Sequence, residues 1–294
     1  MTNLIIYHAN CVDGIGALWA ATKHLGLYSE MHAATYGSEP PDVTGKDVYI
    51  LDFSYPRDVI LEMTNKAASL HVIDHHVTAE KNLEDLPNVK FDMSKSGAVL
   101  AWEFFHGDAP IPEILLYIQD RDLWQWQLPD SHAVNEYLRF HIDFNKDVAL
   151  NLYVLDCIRA EISVDGLTPL VELGERLLEV KVGRVKRLTE RPFVLTFILD
   201  GGEIKVPATF AESDICSEVG GALAEKTFVQ TGCVILPMGS NEKYGLSFRS
   251  RGTSDLALRL AESFGGGGHL KAAGCGVTAD TLAGLLGNSH LLEV

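Results

Sequence analysis

The sequence predicts an α/β fold in two parts: an N-terminal domain built on a parallel sheet, and a smaller C-terminal α/β domain with a mixed sheet, joined by a helical linker. Three observations predict it. Short apolar runs alternate with helical periodicity at the start of the chain, the middle is mostly helical, and strand signals return in the last third. Alternating strands and helices imply a parallel sheet covered on both faces, and 294 residues are enough for two domains.

The predicted elements of the first domain follow from apolar runs for strands and from helical spacing for helices. Its predicted strands cover residues 4–8, 47–53 and 70–74. Its predicted helices cover residues 14–25, 56–66, 96–105 and 111–118. Residues 131–187 are mostly helical and connect the domains, so we predict a first domain over 1–187 and a second over 192–294, after the break at Arg191-Pro192.

The second domain restarts with two strands around the turn Asp200-Gly201-Gly202, a pattern typical of a hairpin. The predicted strands of this domain cover 193–199, 204–208, 232–237 and 244–248, and its predicted helices cover 214–226 and 254–263. A glycine run with a histidine, residues 265–269, follows the last helix.

Composition narrows the range of functions. The chain is 47% hydrophobic with a formal net charge of −16, so it should not bind long duplex DNA, which needs clustered cations. We expect no membrane span, since no segment approaches about 20 apolar residues, and no signal peptide at the N-terminus. The five scattered cysteines favour a reducing compartment, which predicts a cytoplasmic protein. The sequence leaves a homodimer open.

Acids and histidines follow the predicted strands and one helix of the first domain. Side chains at the carboxyl ends of parallel strands meet in the crevice where α/β sheets place their sites. Each cluster alone is explained equally well by helix capping or a core histidine, but four together favour a metal site. The clusters are His8 with Asp13, Asp52, Asp74-His75-His76, and Asp120 with Asp122.

Such a site suits hydrolysis of a phosphate ester or anhydride by a metal-activated water. No Ser, Cys or Lys nucleophile is then needed. Gly14-Ile15-Gly16 after a strand lacks the third glycine of a dinucleotide fingerprint, because Trp19 occupies that position. In the second domain, the glycines before His269 allow a close backbone approach to an anion, and Arg249 is suited to bidentate phosphate contacts.

These motifs, in this order, resemble the DHH phosphoesterase superfamily, in the branch with a C-terminal DHH-associated domain. Asp74-His75-His76 is similar to its naming motif, and the stretches around Asp13, Asp52 and Asp120 are similar to its first, second and fourth motifs. The run 266–274 is similar to the glycine–histidine motif of the associated domain. The resemblance spans nearly the whole chain and is weakest over 131–190.

The resemblance implies a two-domain cleft with two manganese ions in the first domain; magnesium, cobalt and zinc are alternatives. It implies that Asp52 bridges the ions and that Asp74 and His76 lie around the ligands, with His76 facing the substrate. The implied metal ligands are His8, Asp13, Asp52, His75 and Asp120. The implied substrate contacts are Arg249, Gly266, Gly267, Gly268 and His269.

The sequence departs from the family at one position. The first motif of the family has two acids behind the histidine, and the earlier of these is Cys11 here. Thiolate is a softer ligand than carboxylate and suits zinc better than manganese. Either Cys11 or Asn10 would then take the place of the missing acid, or the first ion would be bound weakly.

The sequence is therefore compatible with three functions. The leading one is a phosphodiesterase (a nuclease) acting on short oligonucleotides or on a linear or cyclic dinucleotide. The second is a polyphosphatase, pyrophosphatase or 3′,5′-bisphosphate nucleotide phosphatase. The third is a nucleotide-binding protein with a weakened metal site, to which only Cys11 points.

Overall fold

A computed structural model describes residues 2–238, 243–287 and 290–291. The chain divides into two compact units, Met1–Leu178 and Glu179–Val294. The predicted α/β class is confirmed, with a parallel sheet in the first unit and a mixed sheet in the second. Among the residues so described, no helix is both long and apolar enough to cross a membrane.

The first unit is built on five parallel strands in the order β2-β1-β3-β4-β5. The strands are β1 (Asn3–His8), β2 (Glu30–Ala34), β3 (Asp47–Leu51), β4 (Ser69–Asp74) and β5 (Val89–Phe91). The three predicted strands are the central ones. The two edge strands, β2 and β5, lack the apolar run that reveals a strand buried on both faces.

Helices cover both faces of this sheet. The helices before the second sheet are α1 (Val12–Leu25), α2 (Arg57–Lys66), α3 (Val77–Leu83), α4 (Gly97–His106), α5 (Glu113–Asp122), α6 (Ser131–His141), α7 (Val148–Asp165) and α8 (Thr168–Thr189). Of these, α6 and α7 pack on other helices, and α8 begins in the first unit and ends in the second. Successive residues of β1 enter different cores: Ile5 and Tyr7 pack with α1, α4 and α5, whereas Leu4 and Ile6 pack with α2. Both faces of the strand are therefore buried, as its continuous apolar sequence indicates.

The register of the central strands brings the predicted site residues to one edge. Tyr7 pairs with Leu51, and Leu51 pairs with Ile73. The next residue on each strand is His8, Asp52 or Asp74. Because the strands are parallel, these three residues stand side by side where the strands end.

The glycines of α1 allow close packing against neighbouring elements. A Cβ on Gly14 would lie 2.1 Å from the carbonyl oxygen of His8, and one on Gly16 would lie 2.8 Å from Cβ of Ala98. Glycine thus lets α1 turn tightly off β1 and approach α4 closely. This explains Gly14-Ile15-Gly16 without a dinucleotide.

The second unit has a seven-stranded mixed sheet in the order β10-β11-β9-β8-β7-β6-β12, in which β7 and β8 are parallel. The strands are β6 (Phe193–Leu199), β7 (Gly202–Phe210), β8 (Thr231–Pro237), β9 (Lys243–Ser250), β10 (Gly267–His269), β11 (Ala272–Thr278) and β12 (His290–Leu291). The hairpin between β6 and β7 turns at Asp200 and Gly201, whose positive φ angles of 52° and 77° are typical of the predicted turn.

Helices lie on both faces of this second sheet. They are α9 (Cys216–Ala224), preceded by a 3₁₀ turn at Ser213–Ile215, α10 (Leu256–Ser263) and α11 (Ala279–Gly287). Adjacent residues of β8 face different cores, Cys233 with α10 and Val234 with α9. Phe197 and Phe248 fill the core on the α10 side.

Candidate metal centre

The centre is organised around Asp52, the first residue after β3. Its carboxylate is buried, with 1% of the side chain exposed, and its φ of 54° places it in the left-handed region. Oδ1 of Asp52 lies 3.1 Å from Nε2 of His75, and Oδ2 lies 3.4 Å from Nδ1 of His8. The two oxygens therefore face two different histidines, as a carboxylate that bridges two ions would.

Three carboxylates surround one nitrogen of His75. Nε2 of His75 lies 3.1 Å from Asp52, 3.5 Å from Asp122 and 3.8 Å from Asp13. Candidate ligand atoms of Asp13, His75 and Asp122 all lie within 4.8 Å of one another. Asp13 and His75 are buried, while the Asp122 side chain is 26% exposed. This group offers one imidazole and several oxygens to a cation.

A second group lies on the other side of Asp52. Ligand atoms of His8, Cys11 and Asp52 all lie within 4.8 Å of one another. Nδ1 of His8 and Oδ2 of Asp52 are buried and make no hydrogen bond within the described part of the chain. Buried polar atoms are almost always satisfied, so this pair fits a site completed by a cation.

The charges of the cluster act strongly on one another. Although burial acts to lower it, Asp52 and Asp122 raise the pKa of His75 to about 11. Burial acts to raise the pKa of Asp52, but the neighbouring His75 and His8 hold it well below its usual range. Burial, Asp52 and Asp122 raise the pKa of Asp13 well above its ordinary value. The cluster thus has excess negative charge that a proton relieves in part and that a divalent cation would relieve better.

Ligand atoms of Asp52, Asp74, His75 and His76 also all lie within 4.8 Å of one another, but the oxygens of Asp74 are engaged in hydrogen bonds that orient the two histidines that follow it. Its Oδ1 accepts hydrogen bonds from the backbone amide of His75 at 2.7 Å and lies 2.6 Å from Nδ1 of His76. Its Oδ2 accepts a hydrogen bond from Ser54 Oγ at 2.7 Å. A fully buried carboxylate held in this way fixes the tautomer and orientation of His76.

The N-terminus of α4 fixes Asp13. The amides of Gly97 and Ala98 donate to the two oxygens of Asp13 at 2.6 and 3.0 Å. Free amides at a helix N-terminus are a good partner for an anion. Gly97 also touches Asp52, since a Cβ at this position would lie 2.4 Å from Cβ of Asp52. The first residue of α4 therefore locates both carboxylates.

The structure places Asp122, rather than Asp120, beside His75. The buried Asp120 carboxylate accepts hydrogen bonds from the amides of Gln127 and Leu128, at 2.8 and 3.2 Å. It therefore organises the loop after α5, and its oxygens are used by that loop. We accordingly replace Asp120 by Asp122 in the candidate ligand set.

Tyr36 borders the centre, and two tryptophans lie on the loop that follows Asp122 in the chain. The loop that Asp120 holds carries Trp124, which is 45% exposed, and Trp126, which stacks on His132 with ring centroids 3.8 Å apart. Tyr36, after β2, packs edge-on against His8 at 5.6 Å and is 60% exposed. Tyr36 was not predicted as a site residue, because the strand before it carries no apolar run.

In the second unit, Arg249 and His269 stand in line across three strands. His269 pairs with Ala272, which pairs with Arg249, and directly opposed side chains share a face of the sheet. The guanidinium of Arg249 donates to Ser247 Oγ and Ser217 Oγ, both at 2.9 Å. These contacts hold the guanidinium between Ser247 of β9 and Ser217 of α9.

The glycine run in the second unit has a packing role. A Cβ on Gly266 would lie 2.1 Å from the carbonyl oxygen of Gly274, and one on Gly268 would lie 2.6 Å from that of Ala272. Gly268 also has a φ of 139°. Glycine at these two positions therefore lets β10 pair closely with β11, which is a sufficient reason for both residues. Gly267 lies within the same short strand.

The structure thus gathers His8, Cys11, Asp13, Asp52 and His75 into one cluster, with His76 and Asp74 next to it. Asn10 is exposed in the turn before α1, with a φ of 57°, and belongs to none of the ligand groups found in the described residues. Of the two residues offered for the missing acid, Cys11 is the one in the cluster.

Comparison with known proteins gives distant likenesses. No family model matches the sequence. An uncharacterized protein of Acanthamoeba polyphaga mimivirus is 28% identical over 92% of this chain, which spans 66% of the length of that relative.

Three solved structures resemble the fold. An uncharacterized protein from Helicobacter pylori G27 has a TM-score of 0.48 at 13% identity, covering 94% of this chain and 93% of its own. A pGpG-specific phosphodiesterase from Vibrio cholerae has a TM-score of 0.48 at 13% identity, covering 98% and 97%. An exopolyphosphatase-related protein from Bacteroides fragilis has a TM-score of 0.44 at 14% identity, covering 97% and 90%. Likenesses of this size assign no activity to this chain.

Proposed function

We propose that this chain is a metal-dependent phosphohydrolase of the DHH type that cleaves the phosphodiester bonds of short oligonucleotides or dinucleotides. One observation carries the proposal. Oxygens of Asp13, Asp52 and Asp122 converge on a single imidazole nitrogen, at 3.1 to 3.8 Å, at the edge where the central strands end. The motif order that resembles the DHH superfamily supports the same assignment.

The residues fit two divalent ions that share Asp52. Asp13, His75 and Asp122 would hold one ion, and His8 with Cys11 would hold the other. Bound there, the ions would neutralise the charge of the phosphoryl oxygens. They would also lower the pKa of a water molecule, so that it loses a proton near neutral pH and can attack the phosphorus. The unsatisfied buried atoms of His8 and Asp52 support this assignment.

The protein's own acid–base group is His76. If Nδ1 of His76 donates to Asp74, the ring is left with Nε2 as the nitrogen that exchanges a proton. A charged carboxylate behind the ring stabilises the protonated form, and Asp74 raises the pKa of His76 although burial acts to lower it. In this proposal His76 donates a proton to the leaving oxygen, and Asp74 acts by positioning His76.

Cys11 is not suited to act as the nucleophile. Burial raises the pKa of the Cys11 thiol, and the Asp52 charge raises it further. The thiolate is the reactive form of cysteine, and a raised pKa keeps the thiol protonated. This supports attack by water.

Recognition of a nucleotide is supported by the aromatic border. Exposed rings such as Tyr36 and Trp124 can stack a base at about 1–3 kcal/mol per base. We also propose that the second unit contacts the substrate phosphate through Arg249, the Gly266–Gly268 backbone and His269. The alignment of Arg249 and His269 on one face of the sheet supports that role.

The cations Lys181 and Arg184, near the end of α8, are poorly suited to bind polyphosphate. Arg184 forms ion pairs with Glu212 and Asp214 at 2.6 and 2.8 Å, and Lys181 pairs with Glu218 at 2.6 Å. Cations already paired with acids are poorer partners for a highly charged polyanion. We therefore rank the phosphodiesterase above the polyphosphatase.

Length dependence tests the proposed substrate. Because a long strand needs a track of unpaired cations and the chain carries a net charge of −16, we expect kcat/KM to be highest for dinucleotides and to fall about tenfold or more for long strands. The measurement is nucleotide release with manganese from oligomers of increasing length. Pyrophosphate and a 3′,5′-bisphosphate nucleotide serve as comparison substrates. Equal rates on dimers and long strands, or release of phosphate alone, would contradict the proposal.

A further inference from the structure

The two ligand groups on either side of Asp52 differ in chemistry. One consists of carboxylate oxygens and the His75 imidazole, a set that suits manganese or magnesium. The other combines a nitrogen of His8, the sulfur of Cys11 and an oxygen of Asp52. Three mixed ligands of this kind, with a fourth position left for water, are typical of catalytic zinc.

Cys11 has no competing structural role among the described contacts of α1. It stands at the N-cap of α1 with an extended backbone, φ −128° and ψ 134°, yet its side chain makes no capping hydrogen bond. Its half-buried side chain is instead turned toward His8 and Asp52. A helix start normally favours Ser, Thr, Asp or Asn at this position, so capping does not explain the cysteine.

The His8 and Asp52 atoms that form a group with Cys11 are ion-paired with each other but lack hydrogen bonds in the part of the chain that the structure describes. Nδ1 of His8 and Oδ2 of Asp52 are both buried, 3.4 Å apart, and make no hydrogen bond within the described residues. Asp52 is only 1% exposed, so water cannot readily replace a ligand there. A nitrogen and an oxygen without hydrogen bonds among the described residues, together with a thiol, all within 4.8 Å of one another, offer three ligand atoms to a cation.

We infer that the metal pair of this chain is asymmetric, with the His8–Cys11–Asp52 subsite selecting a thiophilic ion such as zinc or cobalt and the Asp13–His75–Asp122 subsite accepting manganese or magnesium. This deepens the proposed function, on which it rests for the role of the ions. On binding, the S–H bond of Cys11 breaks, a sulfur–metal bond forms, and the proton passes to solvent.

Spectroscopy of the protein without substrate tests this inference. With cobalt as the probe, we expect a sulfur-to-cobalt charge-transfer band in the near ultraviolet for the wild type and for Cys157→Ser, which removes an exposed thiol. The band should be lost in Cys11→Asp, which supplies a carboxylate instead. X-ray absorption of the wild type loaded with one equivalent of zinc should show one sulfur atom bound to the zinc, at a distance of about 2.3 Å.

Competition between ions gives a second readout. We expect Cys11→Asp to lower the affinity for zinc relative to manganese by about tenfold or more. Cobalt binding without the charge-transfer band in the wild type, or a band that persists in Cys11→Asp, would overturn the inference. These outcomes are separable from the proposed function: hydrolysis without a sulfur signal refutes only the inference, and a sulfur signal without hydrolysis refutes only the function.

Discussion

Replacing Asp52 with asparagine should lower kcat for dinucleotide hydrolysis about a thousandfold or more, a loss of roughly 4 kcal/mol of transition-state stabilisation. Within the described part of the chain, Asp52 is the one carboxylate in contact with both His75, at 3.1 Å, and His8, at 3.4 Å. Asparagine keeps the size of the side chain but loses the charge and one oxygen ligand. Both ions should therefore be held more weakly. The measurement is the rate of mononucleotide release with manganese.

The fold should tolerate the Asp52→Asn change. Removing one buried charge relieves repulsion with Asp13, whose pKa is raised by burial and by Asp52. The ion pairs with His8 and His75, which hold the pKa of Asp52 well below its usual range, are lost at the same time, so we expect the thermal midpoint without metal to fall by a few degrees while the chain remains folded. Asp58→Asn, in the first turn of α2 and exposed, is the matched control and should keep full activity. A wild-type rate in Asp52→Asn would rule out a bridging role.

The second large effect is expected from Gly97→Ala. The added Cβ would lie 2.4 Å from Cβ and 2.7 Å from Oδ1 of Asp52, and rotation of the Asp52 side chain cannot relieve the contact with Cβ. Asp52 already has a positive φ, so we expect the start of α4 to move away and to break the 2.6 Å hydrogen bond from Gly97 to Asp13. A displacement near 1 Å in such a site costs about a hundredfold in rate.

Stability should fall with activity in Gly97→Ala, by about 1–3 kcal/mol for overpacking. Denaturant unfolding and the rate of nucleotide release measure the two effects. Gly276→Ala is the control, since an added Cβ there meets no atom within 4 Å. Wild-type rate and stability in Gly97→Ala would mean that α4 does not fix the two carboxylates.

The sequence predicted the strands that carry the site but not the edges of the sheet. β1, β3 and β4 are buried on both faces, and the resulting apolar runs identify them together with the residues that follow them. β2 and β5 each have one neighbour and a mixed composition, so no periodicity marks them. The aromatic Tyr36 was missed for the same reason.

The choice between Asp120 and Asp122 could not be made from sequence. Both acids end α5, and at 3.6 residues per turn they lie about 200° apart around the helix axis. One therefore faces His75 and the other faces the following loop, but which does so depends on how α5 packs. Likewise, Gly97 and Asp52 are far apart in the chain, so no local sequence pattern predicts their contact.

Metal stoichiometry tests the central claim most directly. After equilibrium dialysis against zinc and manganese, elemental analysis of the wild type should find about two ions per chain, because we propose that Asp52, which contacts both His75 and His8, bridges two ions. Asp52→Asn should retain fewer than one. A wild type that retains fewer than one ion, or an Asp52→Asn variant that still holds two, would contradict a shared two-metal centre.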